Sequence, residues 1–227
     1  FYRETNAFDA NLADYDSKNV GGDIAFGIPV SENNAIDTAF QYQKTDIKLG
    51  PLASSQVTNF VNTNGSEYDI FSWNVGFSYD TRKKAILPDK GIYHRIGSEV
   101  TLPIGSDVEY YKVNYETKWF KDITDDYILT LGADIGYGDA YGDTTELPFF
   151  ENFYVGGPRS VRGYKENTIG PRDSTGRPLG GSTKIVGNAE IILPFPFLRD
   201  FKQARVTGFL DAGNVYGPDE DMSLIQL

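Results

Sequence analysis

Strict alternation of apolar and polar residues is the feature that most constrains the fold of this chain. In the clearest run, one face of a strand would carry Phe71, Trp73, Val75, Phe77 and Tyr79. Such a period of two is typical of a β-strand, because successive side chains point to opposite sides of the sheet. Similar runs occur near residues 24–28, 40–43, 92–102, 111–119, 127–137, 185–193 and 206–212. The sequence therefore predicts about eight strands of roughly 9–11 residues.

The lengths of these strands favour a membrane barrel. A tilted strand of roughly 9–11 residues crosses a bilayer. The 15 Phe and 15 Tyr residues would supply lipid-facing bulk and interfacial girdles, although they would also suit a soluble β-sandwich. No stretch approaches the roughly 20 apolar residues of a membrane-spanning helix, which excludes a helical membrane protein. We predict an all-β fold, an antiparallel transmembrane β-barrel.

The connections between the predicted strands alternate in length, as they do in outer-membrane barrels with long extracellular loops and short periplasmic turns. Long extracellular loops are expected at residues 3–20, 49–68 and 139–183. Periplasmic turns are expected at residues 31–34, 81–91 and 121–125, and the second is long for that side. The connection at residues 103–107 is short where a long loop is expected. Phe1 and Tyr2 are interpreted as the end of a strand, and residues 219–221 as the start of a non-strand tail.

Composition argues against several classes of chemistry. The net charge of −11 disfavours a nucleic-acid partner, because phosphate binding needs clustered Lys and Arg. The sequence has no cysteine and a single histidine, His94, which leaves little scope for thiol or histidine catalysis or for a metal site. We expect no enzyme activity, no catalytic residue, no cofactor and no metal.

Glu99 and Glu116, on adjacent strands, are the best candidates for a catalytic carboxylate pair of the kind that glycosidases use. Basic residues interleave with them on the same face, namely Arg95, Lys112 and Lys118. A polar network that fills the interior of a barrel explains this pattern better.

Three smaller features have ordinary interpretations. His94 falls on the outward face near the start of a strand, where an interfacial role is expected. Asp122, Asp125 and Asp126 lack the spacing and the glycine of a calcium loop, so a solvated turn is favoured. Residues 82–84 form a basic run that is interpreted as a polar turn, with contact to lipid head groups or to a partner protein as the alternative.

The most informative motif lies in the third long loop. Residues 149–164 read Phe-Phe-Glu-Asn-Phe-Tyr-Val-Gly-Gly-Pro-Arg-Ser-Val-Arg-Gly-Tyr, and Ile-Gly-Pro follows at residues 169–171. The stretch resembles the sixth extracellular loop of the BamA family of barrel insertases, in which an aromatic-Glu-Asn-Phe-Tyr-x-Gly-Gly segment precedes Val-Arg-Gly-aromatic. Less specific matches follow the family's order at residues 110–113, 136–139, 189–194 and 209–213. A shorter loop after Pro171 departs from the family pattern.

The resemblance implies how the chain is organised. Residues 1–227 would form one transmembrane domain of about eight consecutive strands from a larger, 16-stranded barrel, with residues 139–183 as the long extracellular loop. The N-terminal periplasmic repeats and the first and last strands would lie outside this fragment. An open sheet in lipid would leave backbone groups unpaired, so its edges need partner strands. A closed eight-stranded barrel is the alternative.

The resemblance also implies a function, the folding and insertion of β-barrel proteins into the bacterial outer membrane. Partners would be nascent outer-membrane β-barrel proteins, the lipid bilayer, and accessory assembly lipoproteins docked mainly on the periplasmic repeats. A TamA-like protein or a two-partner secretion translocator is the first alternative. A passive porin or a soluble β-rich carbohydrate-binding protein is the second.

The same loop contains the candidate functional residues. Within it, the expected functional motif consists of Gly156, Gly157, Val161, Arg162, Gly163 and Tyr164. A cation in a closed lumen needs an anionic partner, and the planar fork of Arg binds a carboxylate in bidentate fashion. Glu190 and Asp211 fall on lumen-facing positions of the next two strands, and the resemblance implies the same pairing with Arg162. The glycines would permit tight turns. The alternative is that Arg162 lies on a solvated loop.

Overall fold

Each run of alternating residues forms a strand of one antiparallel sheet. The computed structural model describes residues 2–7, 14–83, 88–124, 127–194, 205–218 and 220. The strands are β1 (Tyr2–Ala7), β2 (Tyr15–Pro29), β3 (Asn34–Leu49), β4 (Glu67–Asp80), β5 (Gly91–Thr101), β6 (Tyr110–Asp122), β7 (Ile128–Ala140), β8 (Thr183–Pro194) and β9 (Arg205–Tyr216). They pair in sequence order, and in the described part of the chain β1 and β9 are the two edges. The predicted all-β antiparallel fold is confirmed.

The region before residue 20 differs from the prediction. We expected a long loop at residues 3–20, but β1 extends to Ala7 and β2 already begins at Tyr15. The strand interpreted as ending at Tyr2 therefore continues to Ala7, and β1 pairs with residues 17–22 of β2. The sequence of β1 includes charged and amide residues and shows no apolar alternation. Its backbone pairing with β2 is therefore what identifies it as a strand. Phe1 and residues 221–227 lie outside the described part.

The two faces of the sheet differ in polarity. One face, here called the outer face, exposes large apolar side chains, including Phe26, Phe40, Trp73, Phe77, Ile96, Leu131, Ile135 and Leu210. Soluble proteins rarely expose a contiguous apolar surface of this extent, so the outer face is suited to lipid. The opposite face, here called the inner face, carries the long loop and the charged residues in the middle of the strands, among them Arg95, Glu99, Lys112, Glu116 and Asp134. Among the described residues, the helical segments are too short and too polar to span a membrane.

One helix, α1 (Ser55–Asn64), occupies the loop expected at residues 49–68. The Ser54 side chain accepts a hydrogen bond from the Val57 backbone N–H, which caps the first turn. Val57 and Phe60 form the buried stripe of α1. Their cluster brings together Ile47, Tyr68, Ile70, Val108, Tyr110, Leu147 and Phe149. The helix therefore covers one end of the inner face and packs against the long loop.

Candidate functional site

The long loop, residues 141–182, leaves β7 and returns into β8, which agrees with the loop expected at residues 139–183. A 3₁₀ turn at Phe149–Glu151 begins the segment that carries the motif. Antiparallel bridges join Phe153 to Gly181 and Val155 to Ile169 within the loop. The motif is therefore held in a compact fold instead of an extended excursion.

Arg162 contacts both carboxylates that the sequence proposes as its partners. Its Nε and Nη2 atoms donate to the two oxygens of Asp211, each at 2.6 Å. The Arg162 backbone N–H donates to Asp211 Oδ2 at 3.0 Å. On the other side of the fork, Nη1 lies 2.6 Å from Glu190 Oε1. The side chain of Asp211 is 2% exposed, and those of Arg162 and Glu190 are 24% and 26% exposed. The contacts form a mostly buried triad.

Two neighbours that the sequence analysis missed complete the triad. Asn188 donates from Nδ2 to Asp211 Oδ1 and to the Ser160 carbonyl oxygen, each at 2.8 Å. The guanidinium carbon of Arg162 lies 3.8 Å from the ring centre of Phe209, a close cation–π contact. Both residues share the inner-face parity of Glu190 and Asp211, which is the signal that would have found them.

The neighbouring carboxylates further favour the protonated form of Arg162. Its hydrogen bonds with Asp211, and then with Glu190, hold the pKa of Arg162 above its usual range, although desolvation acts in the opposite direction. An arginine is already charged at any physiological pH. Arg162 is therefore the fixed cation of the anchor and does not itself act as a pH switch.

Glycines shape the turn that presents Arg162. Gly156 and Gly157 have φ values of 117° and 93°, in the region that favours glycine. A Cβ atom on Gly156 would lie 2.5 Å from the backbone oxygen of Lys165, so a side chain has no room there. The Ser160 hydroxyl accepts from the Gly156 N–H, and the Gly157 N–H donates to the Val161 carbonyl, at 2.9 and 3.1 Å. The backbone thus turns back just before Arg162.

The other motif residues have different positions. Val161 is 4% exposed and packs with Val155, Val186 and Val215. Tyr164 is 62% exposed, so the structure does not bring it into the triad. Gly163 has a φ of 89°, and a Cβ atom added to it would have no neighbour within 4 Å. Backbone conformation, not lack of space, therefore favours glycine at this position.

The two candidate catalytic carboxylates of the inner face, Glu99 and Glu116, have separate partners. Glu99 accepts from the Tyr110 hydroxyl at 2.9 Å, and Glu116 pairs with Lys118 at 2.8 Å. In the strand register Glu99 lies opposite Lys112 and Arg95 opposite Glu116. This arrangement favours the predicted polar network over a carboxylate pair.

Within the described ranges, no group of three or more potential ligands could hold a metal ion. His94 stacks between Tyr79 and Tyr115, and its Nδ1 lies 2.9 Å from the Tyr115 hydroxyl. Arg82 Nη2 lies 2.7 Å from Asp80 Oδ2, a contact that fits the predicted polar turn. The acidic residues 125 and 126, and Lys84 of the basic run, lie outside the described part.

A family comparison decides the classification. The Omp85 superfamily domain matches residues 1–224. The chain belongs to the Omp85 superfamily. This Omp85 chain is 30% identical over 218 residues to the outer membrane protein assembly factor BamA of Neisseria meningitidis serogroup B, a match covering 91% of the chain and 27% of that protein. It is 31% identical over 140 residues to the Homo sapiens homolog of sorting and assembly machinery component 50, covering 60% of the chain and 29% of that protein.

A solved structure agrees with the fold. The crystal structure of BamA from Haemophilus ducreyi lacking POTRA domains 1–3 superposes with a TM-score of 0.86 at 23% identity, covering 95% of this chain and 45% of that one. The Omp85 match over residues 1–224 and the BamA relative at 30% identity confirm the resemblance to the BamA family and the predicted outer-membrane location, and this structure confirms the fold. The Omp85 chain spans less than a third of the length of the two named curated relatives. That residues 1–227 form a single domain stays a prediction.

Proposed function

We propose that this Omp85 chain is the barrel portion of a machine that folds β-barrel proteins and inserts them into the bacterial outer membrane. The observation that carries the proposal is the long loop held on the inner face by Arg162, Glu190 and Asp211. The triad connects the loop to β8 and β9. These two strands and the loop would then stay folded together while strands elsewhere in the barrel separate. The BamA relative at 30% identity supports the same function.

The proposed activity needs no covalent chemistry. Local thinning of the bilayer and lateral opening of the barrel would expose a strand edge, and an incoming strand would pair with that edge through its backbone. Neither nucleotide nor cofactor enters such a mechanism. We therefore propose that the protein is not an enzyme, in keeping with the separate partners of Glu99 and Glu116.

The proposed partners follow from the same activity. Nascent outer-membrane β-barrel proteins would be the clients, and the bilayer would contact the apolar outer face. Accessory assembly lipoproteins would dock mainly on periplasmic repeats. A passive porin is the weaker explanation, because the long loop and α1 pack together across one end of the inner face.

The test is rescue of cells depleted of the natural protein, using a full-length Arg162→Ala variant. The amounts of all folded porins should fall while the variant itself remains in the membrane. The reason is that a loosened loop no longer stabilises β8 and β9 of the barrel. Arg159→Ala is the matched control, since Arg159 is exposed and lies three residues earlier in the same loop.

The outcomes of this rescue separate the candidate functions. Normal porin levels combined with loss of a single secreted or autotransported client would instead support a TamA-like or two-partner secretion role. Normal levels of porins and of secreted clients would overturn the proposal.

A further inference from the structure

A second ion pair holds the entry arm of the long loop, defined as residues 147–153. Glu151 Oε2 lies 2.9 Å from Lys112 Nζ, and each side chain is only 16% exposed. Lys112 lies on the inner face of β6, opposite Glu99 of β5. Two carboxylates and one ammonium group therefore meet where the arm crosses β6. This contact shares no residue with the Arg162 triad.

Two glycines of β7 form the seat of the entry arm. A Cβ atom at Gly136 would lie 2.8 Å from Cε1 of Phe153, and one at Gly138 would lie 3.1 Å from Cδ2 of Leu147 and from Cγ of Lys112. At the first distance a neighbouring atom must move. The absence of side chains at both glycines thus lets the arm approach the sheet.

Phe153 fixes the other end of the entry arm. Its ring centre lies 5.2 Å from the Nζ atom of Lys112 and 5.5 Å from that of Lys184. Lys184 is itself held by Asp134 at 2.8 Å. Ammonium groups at these distances are attracted to the ring face, so Phe153 binds between β6 and β8.

We propose that Glu151 is a positioning residue, which pairs with Lys112 as a second ionic anchor and directs the Arg162 turn towards β8 and β9. The two anchors are 11 residues apart in the sequence, and they fasten the loop to strands on both sides of β7. The loop is then clamped across three strand spacings, roughly 14 Å from β6 to β9. This inference rests on the proposed function for its consequence, but the anchor itself can be tested separately.

The test uses charge reversal, with a single cysteine as reporter because the sequence contains none. Leu147→Cys reports opening of the entry arm, and Val161→Cys reports opening of the Arg162 turn; both native side chains are buried. The protein is folded in membranes, and its rate of maleimide labelling is measured. Lys112→Glu should raise labelling at position 147 about tenfold or more, since three carboxylates would then meet in a partly buried site.

Reversing both charges is the decisive variant. Lys112→Glu combined with Glu151→Lys again places one ammonium group among two carboxylates, so labelling at position 147 should return to within about twofold of the unsubstituted protein. Arg162→Ala is the matched comparison, and it should raise the rate of labelling at position 161 more than the rate at position 147. If the double variant labels as fast as the faster-labelling of its two single variants, Lys112→Glu and Glu151→Lys, the proposed pairing of Glu151 with Lys112 as an anchor is wrong.

A milder variant covers the case in which the reversed proteins do not fold, as judged by heat-modifiable migration on a gel. Glu151→Gln keeps the shape of the side chain and should raise labelling at position 147 about threefold or more. An unchanged rate would overturn the proposal. Labelling is independent of client insertion, so an open arm combined with normal porin levels would contradict the proposed function and leave the anchor standing.

Discussion

The two carboxylates of the Arg162 triad differ in their environment. Asp211 accepts two side-chain hydrogen bonds and one backbone hydrogen bond from Arg162, and its own side chain is almost fully buried. Glu190 makes one contact from a position that is 26% exposed. Because a buried charge that loses its partner is costly while an exposed pair contributes little, Asp211 should dominate the energetics of the anchor.

This asymmetry gives a prediction at the scale of single residues. Asp211→Asn should destabilise the docked loop by about 3–5 kcal/mol, and Glu190→Gln by only about 1 kcal/mol. Hydrogen exchange of the backbone amides of residues 156–163, measured in the folded membrane protein, gives the opening free energy for each variant. If Glu190→Gln destabilised the loop more than Asp211→Asn, burial would not determine which of the two carboxylates contributes more to the stability of the docked loop.

At the scale of elements, the glycines of β7 leave space for side chains of the loop that follows the strand. Its inner face carries Gly132, Gly136 and Gly138, but only the last two lie within about 3 Å of a loop side chain when a Cβ atom is added. At Gly132 the nearest atoms lie at 3.6 Å or more, which is an ordinary contact. The glycines of β7 therefore have different roles although they share one face.

We expect Gly136→Ala to destabilise the docked loop by about 1–3 kcal/mol, because an overpacked site must displace Phe153. Gly132→Ala is the matched control on the same strand and face, and it should be close to neutral. Resistance of the folded protein to proteinase K within residues 141–182 distinguishes the two. Equal sensitivity of both variants to the protease would argue that the effect comes from strand propensity and not from the close packing of the loop on Gly136.

At the scale of the whole molecule, the sheet has an apolar outer face suited to lipid and a polar inner face suited to water. Neighbouring residues of β4 illustrate this separation, since Val75 lies on the outer face and Asn74 on the inner face opposite Glu99. A cation costs little among the polar groups of the inner face. It is expensive at the lipid-facing surface near the middle of a strand.

Val75→Lys should therefore reduce the stability of the folded barrel by about 2–4 kcal/mol, and Asn74→Lys by much less. The folding free energy of the full-length protein in phospholipid vesicles, measured by urea titration, checks the difference. Similar losses for both variants would contradict the assignment of the two faces.

The sequence by itself determined the features that depend on local periodicity. Alternation in runs such as residues 71–79 was enough to place the strands and their two faces, and the same parity placed Glu190 and Asp211 on the face that Arg162 reaches. The motif around Arg162 was sufficient for the family. These inferences succeeded because the side-chain period of a strand is a property of the local backbone.

Apart from the pairing of Arg162 with Glu190 and Asp211, only the tertiary structure decided which distant residues meet. β1 has no clear alternation and is recognised by its pairing with β2, while α1 lies within a stretch expected to be a loop. The pairing of Glu151 with Lys112 joins residues 39 positions apart, and Phe153 of the loop lies between Lys112 of β6 and Lys184 of β8. Such contacts depend on how the long loop folds back over the sheet, and no local pattern of residues encodes that path.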